Sequence, residues 1–137
     1  LARLTLIGVL AFAVGCAEKI KPVAVPVVTA PRFPDFVRPA IPPDLSQLPA
    51  AANTERAWQF LQAGDTHNAD REVAAALKLS AAFYPAETTG GYVQLAEKDS
   101  KAALARFDRA LSHRSNYAPA LAGKADALVL IRAVSAP

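Results

Sequence analysis

An all-α fold is predicted: a helical-hairpin solenoid of about five helices, preceded by a signal peptide and a proline-rich tether. Three observations lead there. The stretch from Ala57 to Leu128 repeats at a spacing of 34 residues, with Ala69 returning as Ala103, Ala76 as Ala110, Leu77 as Leu111, Asp65 as Asp99, Leu61 as Leu95 and Pro85 as Pro119. A fixed period of that length marks two-helix units that stack. Within the repeat, Ala69, Val73, Ala76 and Leu77 fall at i, i+4, i+7 and i+8, one apolar stripe on a helix. Ahead of the repeat, an apolar leader and then a run of prolines exclude further packed helices. The resulting boundaries are 1–15 for the signal peptide and 16–50 for Cys16 and the linker. The helical domain takes 51–132, in repeats of about 50–83, 84–117 and a partial 118–132, and 133–137 is a tail.

Composition narrows the function classes. Fifteen basic residues face twelve acidic ones, and both signs are interspersed. Nucleic-acid binding would require Lys and Arg clustered on one face, so none is expected. The single cysteine, Cys16, excludes an intrachain disulfide, and there is no Cys/His cluster for zinc.

The leader reads LARLTLIGVLAFAVG, with an apolar run from Leu4 to Val14. Eleven helical residues rise only ~16 Å against a ~30 Å hydrocarbon core, which suits a signal peptide rather than a spanning helix. It ends in Ala13-Val14-Gly15-Cys16. Small residues ahead of a cysteine resemble the lipobox of bacterial lipoproteins, with Ala13 standing where leucine is usual. The resemblance implies a lipid on Cys16 as the first mature residue. With Ala17 rather than aspartate behind it, the same resemblance implies the outer membrane, facing the periplasm.

Between Pro22 and Pro49 there are eight prolines, so extended chain is expected, with a reach on the order of 80 Å when stretched. Its valines, with Phe33 and Phe36, are more apolar than a spacer requires. Two readings follow, a semi-rigid spacer, which composition favours, and a segment that docks on the helices or serves as a recognition segment. Asp44 is placed to cap a single turn over Leu45 to Leu48.

The first helix is expected near Thr54 as its cap, running through Ala57, Trp58, Phe60 and Leu61 to Gly64-Asp65. The second spans about Asn68 to Leu79, with Arg71, Glu72 and Lys78 towards solvent. Pro85 suits the first turn of the third helix, which carries Tyr92, Val93 and Leu95 and turns at Lys98-Asp99. The fourth shows Ala103, Leu104, Phe107, Ala110 and Leu111, a clear amphipathic pattern. Pro119 opens the fifth, with Leu121, Ala125, Leu128 and Val129 assigned to its packing side.

These residues resemble the tetratricopeptide (TPR) family, two antiparallel helices in about 34 residues. The small residues Ala57, Gly91 and Ala125 recur at one repeat position, and Asp65 and Asp99 at another. Gly90 stands where a leucine is usual. The resemblance implies a groove lined by the odd-numbered helices. Its contact positions fall on Thr54, Trp58, Leu61 and Gln62, then Thr88, Tyr92, Leu95 and Ala96, then Ala122, Asp126, Val129 and Leu130. Trp58 and Tyr92 share one repeat position, where stacking on an extended peptide and packing in the core are both open. The family's lysine–asparagine clamp for C-terminal carboxylates is missing.

Catalysis finds no support. His67 and His113 lack carboxylate or cysteine partners at ligand or triad spacing, no serine has a nucleophile context, and Gly90-Gly91 opens no phosphate loop. No cofactor, metal or small-molecule substrate is expected. The expected role is a protein–protein interaction scaffold held on a membrane through Cys16. A pilot for an outer-membrane or secretion complex, and the docking part of a larger enzyme, are the alternatives.

Overall fold

The computed structural model describes residues 21–137. The signal-peptide and Cys16 expectations lie outside them. The described residues form five helices and no strand: α1 Pro49–Gln62, α2 Thr66–Leu79, α3 Tyr84–Ala96, α4 Ser100–His113 and α5 Ala118–Ser135. The chain is thus all-α. In α1, α3 and α5 a proline occupies the first or second position, where its fixed φ suits the helix and its missing N–H leaves nothing unpaired.

Two helix starts differ from expectation. α1 begins at Pro49, five residues before Thr54, which is buried inside the helix and donates its hydroxyl to the Ala50 carbonyl at 2.8 Å. The side chain satisfies itself on its own helix instead of capping it. α2 begins at Thr66 because Asp65, not a later residue, is its cap. The Asp65 carboxylate accepts from the Asn68 backbone amide at 3.0 Å, and Asp99 accepts from Ala102 in the same way to start α4. The 34-residue recurrence of aspartate is therefore a recurrence of N-caps. The Asn68 backbone amide and then its side chain hold the Asp65 carboxyl below the usual carboxylate range. One residue earlier in each turn, Gly64 and Lys98 both adopt positive φ, at 84° and 67°. Glycine takes that conformation without strain, whereas lysine does not.

The helices lie in two rows. α1, α3 and α5 adjoin in one row; α2 packs on α1 and α3, and α4 on α3 and α5. The core between the rows is built on small residues, including Ala57, Ala69, Ala103, Ala110, Ala120 and Ala127, all inaccessible to solvent. Phe107 fills the space they leave. A Cβ added to Gly91 in α3 would lie 2.5 Å from the Phe107 ring, and one added to Gly123 in α5 only 2.2 Å. One ring from α4 is thus clasped by glycines of the two helices opposite. Its edge also meets Tyr92, at 5.2 Å and 73° between planes.

Gly90 has a separate cause. A Cβ there would meet the Arg106 side chain at 2.8 Å and Val73 at 3.0 Å. Arg106 crosses this spot to reach Glu87 at 3.3 Å, and its guanidinium also lies 3.6 Å from Asp70. Arg109 completes the group on Glu87 at 3.1 Å. Leucine at position 90 would block a bridge joining α2, α3 and α4.

The packing side assigned to α5 is corrected. Leu121, Ala125, Leu128 and Val129 are exposed, and the buried face carries Pro119, Ala120, Gly123 and Ala127. In α1 and α3 the residues equivalent to Ala125, which are Ala57 and Gly91, are buried. Each of those helices is followed by one that covers this face, and among the described residues α5 is followed by none.

Gly123→Ala separates two opposing effects. Helix propensity favours alanine by about 1 kcal/mol, while overlap with a packed ring costs about 1–3 kcal/mol. At 2.2 Å from the ring the overlap prevails. Thermal or urea denaturation should show Gly123→Ala destabilised in the native background. In a Phe107→Val background, where the ring is gone, the same change should be neutral or stabilising. Equal effects in both backgrounds would contradict the clasp.

Candidate functional site

One face of the row formed by α1, α3 and α5, here called the inner row, is covered. Residues 32–48, expected as spacer, lie across α1, α3 and α5 as a strap. Its first anchor is Gln62, in the last turn of α1. The Gln62 side-chain carbonyl accepts from the Phe33 amide at 3.0 Å, its side-chain NH2 donates to the Phe33 carbonyl at 3.1 Å, and its backbone carbonyl accepts from the Arg32 amide at 2.8 Å. A carbonyl at a helix C-terminus lacks an intrahelical partner, and the strap supplies one. The side-chain amide meanwhile reads one residue of backbone by both its groups, as a neighbouring strand would.

Aromatic rings form the second anchor. Phe33 and Phe36 stack at 4.9 Å and 7°, Phe36 meets Tyr92 at 4.9 Å, and Trp58 meets Tyr92 edge-on at 5.8 Å. Further along, Pro39 is buried and Ile41 and Leu45 pack against Ala50, Phe83 and Ala86. The Tyr117 hydroxyl donates to the Ala40 carbonyl at 2.6 Å, and Tyr117 packs edge-on to Tyr84. An exposed ion pair joins Arg38 to Glu55.

The sequence-predicted groove residues separate under this arrangement. Thr54, Leu61, Thr88, Tyr92 and Leu95 are buried, at 4% exposure or less. The Thr88 hydroxyl turns back on its own helix, to the Tyr84 carbonyl. Gln62 is buried under the strap, Trp58 is half-buried, and Asp126 is exposed. Tyr92, Trp58 and Gln62 are brought together beneath Phe33 and Phe36. Thr54 and Thr88 hydrogen-bond only within their own helices. Leu95 and Asp126 line a separate cleft of about 350 Å³ with Phe33, Asp35, Phe36 and Lys98. Sequence reasoning assigned no site role to Tyr117, and gave Phe33 and Phe36 one only in the less favoured reading of the linker as a docking segment. For the two phenylalanines the signal was present, as two aromatic rings three residues apart in a stretch otherwise fit for a spacer.

Burial sets the ionisation of the site tyrosines. The Tyr92 hydroxyl donates to the Pro119 carbonyl at 2.9 Å, tying α3 to the start of α5. Desolvation pushes its pKa up to about 12; the Val37 backbone on the strap pulls the other way, and the Asp126 carboxylate adds to the rise. Desolvation also raises Tyr117 above the usual tyrosine range, with smaller contributions from Tyr84 and Glu55. Among the described residues no three His, Cys, Asp or Glu side chains gather into a metal-holding group. What the surface can do is hold extended chain: one side-chain amide reads the backbone, and an aromatic floor takes two rings.

A raised pKa makes stability pH-dependent with a defined sign. The folded state prefers neutral Tyr92, so its contribution is whole below the unfolded value near pH 10 and is lost as pH rises through about 12. By pH 12 the loss amounts to roughly 2 kcal/mol from this group. Tyr92→Phe should flatten the fall in denaturation midpoint between pH 10 and 12; an unchanged slope would show that Tyr92 titrates without cost.

Comparison of the chain with protein-family models, with curated proteins and with solved structures finds no match.

Proposed function

We propose that this chain is a TPR-like interaction scaffold of a bacterial cell envelope, lipid-anchored through Cys16, whose inner helix row holds an extended peptide segment of a partner protein. The observation that carries the reading is the seating of residues 32–38. An irregular, proline-containing segment lies along this row with its backbone read by Gln62, its Phe36 ring on Tyr92 and its Phe33 ring stacked on Phe36. A surface that holds one such segment has the chemistry to hold another. The membrane part of the reading rests on the leader and on Cys16 preceded by small residues. No helix among the described residues is long and apolar enough to cross a membrane.

The mechanism is presentation. The lipid fixes the domain at the surface, and confinement raises the effective concentration of a membrane-bound partner, so modest affinity suffices. The free tether is shorter than the proline count implies. Val25 already packs against the helices, so no more than the nine residues from Cys16 to Ala24 separate the proposed lipid from the packed chain. A domain held so near the bilayer is suited to partners at the membrane.

Two experiments test the two halves. Intact mass and membrane partition of the expressed precursor should show a diacylglyceryl increment that Cys16→Ser abolishes together with membrane association. A freely partitioning product of unmodified mass would sink the anchor. Photo-crosslinking residues placed at Gln59 and Asp126, both exposed beside the strap, should capture one partner in membranes, while the same probe at Lys78 on α2 should not. Equal capture from Lys78 would move the interface off the inner row.

A further inference from the structure

Residues 32–48 divide into two parts with different kinds of contact. From Pro39 onwards the chain belongs to the core: Pro39 is buried, Ile41 and Leu45 pack in the cluster with Phe83, and Ala40 accepts from Tyr117. From Arg32 to Arg38 the contacts are those of a bound peptide. Phe33 and Phe36 are half-buried and stack on each other as much as on the helices. Polar anchorage there comes from Gln62 and from the exposed Arg38–Glu55 pair. An exposed pair contributes little. Two aromatic anchors and one backbone-reading amide compose a small interface whose affinity lies in a few residues.

We propose that Arg32–Arg38 is a displaceable strap, an intramolecular competitor for the groove, and that the partner offers an extended segment with two aromatic side chains three residues apart. This rests on the peptide-groove reading above and specifies its ligand. The incoming segment replaces Phe36 over Tyr92 and Phe33 stacked beside it. Its first aromatic residue presents a free N–H and C=O to Gln62, so proline is excluded at that position. A proline directly after it is accepted, as Pro34 shows. Residues 39–48 stay in the core and keep the exchange local.

The strength of competition follows from occupancy. Apparent affinity equals intrinsic affinity multiplied by the fraction of molecules with an open groove, so a strap closed for ~90–99% of the time weakens the partner about 10- to 100-fold. Removing the strap's rings removes that factor without touching the groove.

The test uses the chain carrying Cys16→Ser, with and without Phe33→Ala/Phe36→Ala. The probe is a fluorescein-labelled peptide of residues 30–38. Anisotropy should report binding to the double variant at least about tenfold tighter than to its parent. A peptide with both phenylalanines replaced by alanine should bind neither protein. Because Trp58 is the sole tryptophan and packs on Tyr92, excess unlabelled peptide should also change its emission in the double variant as the groove refills. Equal affinity for both proteins overturns the competitor, as does absence of binding to a double variant that circular dichroism shows folded. Loss of fold in the double variant overturns it too, by making the strap integral to the domain. A parent protein that is dimeric by light scattering, and monomeric once the rings are removed, assigns the groove to a second copy instead of a partner. The photo-crosslinks from Gln59 and Asp126 read the groove without the peptide, so their persistence would leave the scaffold reading standing when the competitor fails.

Discussion

The fold depends on how closely α3 and α5 approach the Phe107 ring. Gly91 and Gly123 touch it where any side chain would collide, so one residue of α4 fixes the distance to two helices at once. The equivalent positions in the first repeat carry Val73 with Ala57 and Thr89. A smaller side chain at the centre accompanies larger ones around it. The same ring also supports the site, since its edge meets Tyr92, and Tyr92 is the floor on which Phe36 lies. Scaffold and groove share one chain of aromatic contacts, from Phe107 through Tyr92 to the strap.

That continuity explains where the sequence was legible. Hairpin periodicity follows from local rules, because each helix carries its own start signal and its own apolar stripe, and these repeat at 34 residues. The five helices, Pro85 and Pro119 at the starts of α3 and α5, and the stripe of Ala69, Val73 and Ala76 were readable in this way, whereas Pro49 at the start of α1 was not. The aspartate recurrence was visible as well, although its role as N-cap emerges only from the hydrogen bonds of Asp65 and Asp99.

What escaped the sequence has two physical sources. α5 carries large apolar residues outside its buried face, and hydrophobicity alone points to them as the packed ones. Contact with Phe107 selects the opposite face, because only Gly123 and its alanine neighbours allow the helix close enough. Size decided the face, and apolarity did not. The strap illustrates the second source. Proline content says what residues 32–48 do not form, since it removes amide donors and fixes φ. It carries no information on where the extended chain goes. That is set by acceptors and rings on α1 and α3, more than twenty residues away in sequence.

In the proposed exchange, the strap and the tether are one mechanical element. While Arg32–Arg38 is seated and Val25 packs on the helices, the proposed attachment point at Cys16 lies only nine residues before a packed residue. Exchange of Arg32–Arg38 alone leaves Val25 packed, so capture of a partner peptide leaves that span unchanged. Reach would grow only with a partner that also displaced residues 25–31; together with the strap that frees roughly 14 residues, about 40 Å of extended chain. Both effects weaken the partner's binding. Displacing the strap forfeits its contacts, while a longer tether enlarges the volume the domain searches and lowers its effective concentration against a partner fixed in the same bilayer. A partner that gains both reach and binding must therefore bring contacts stronger than Phe33 and Phe36 supply. Such contacts are available in the cleft between Phe36, Leu95 and Asp126, which the strap lines without filling.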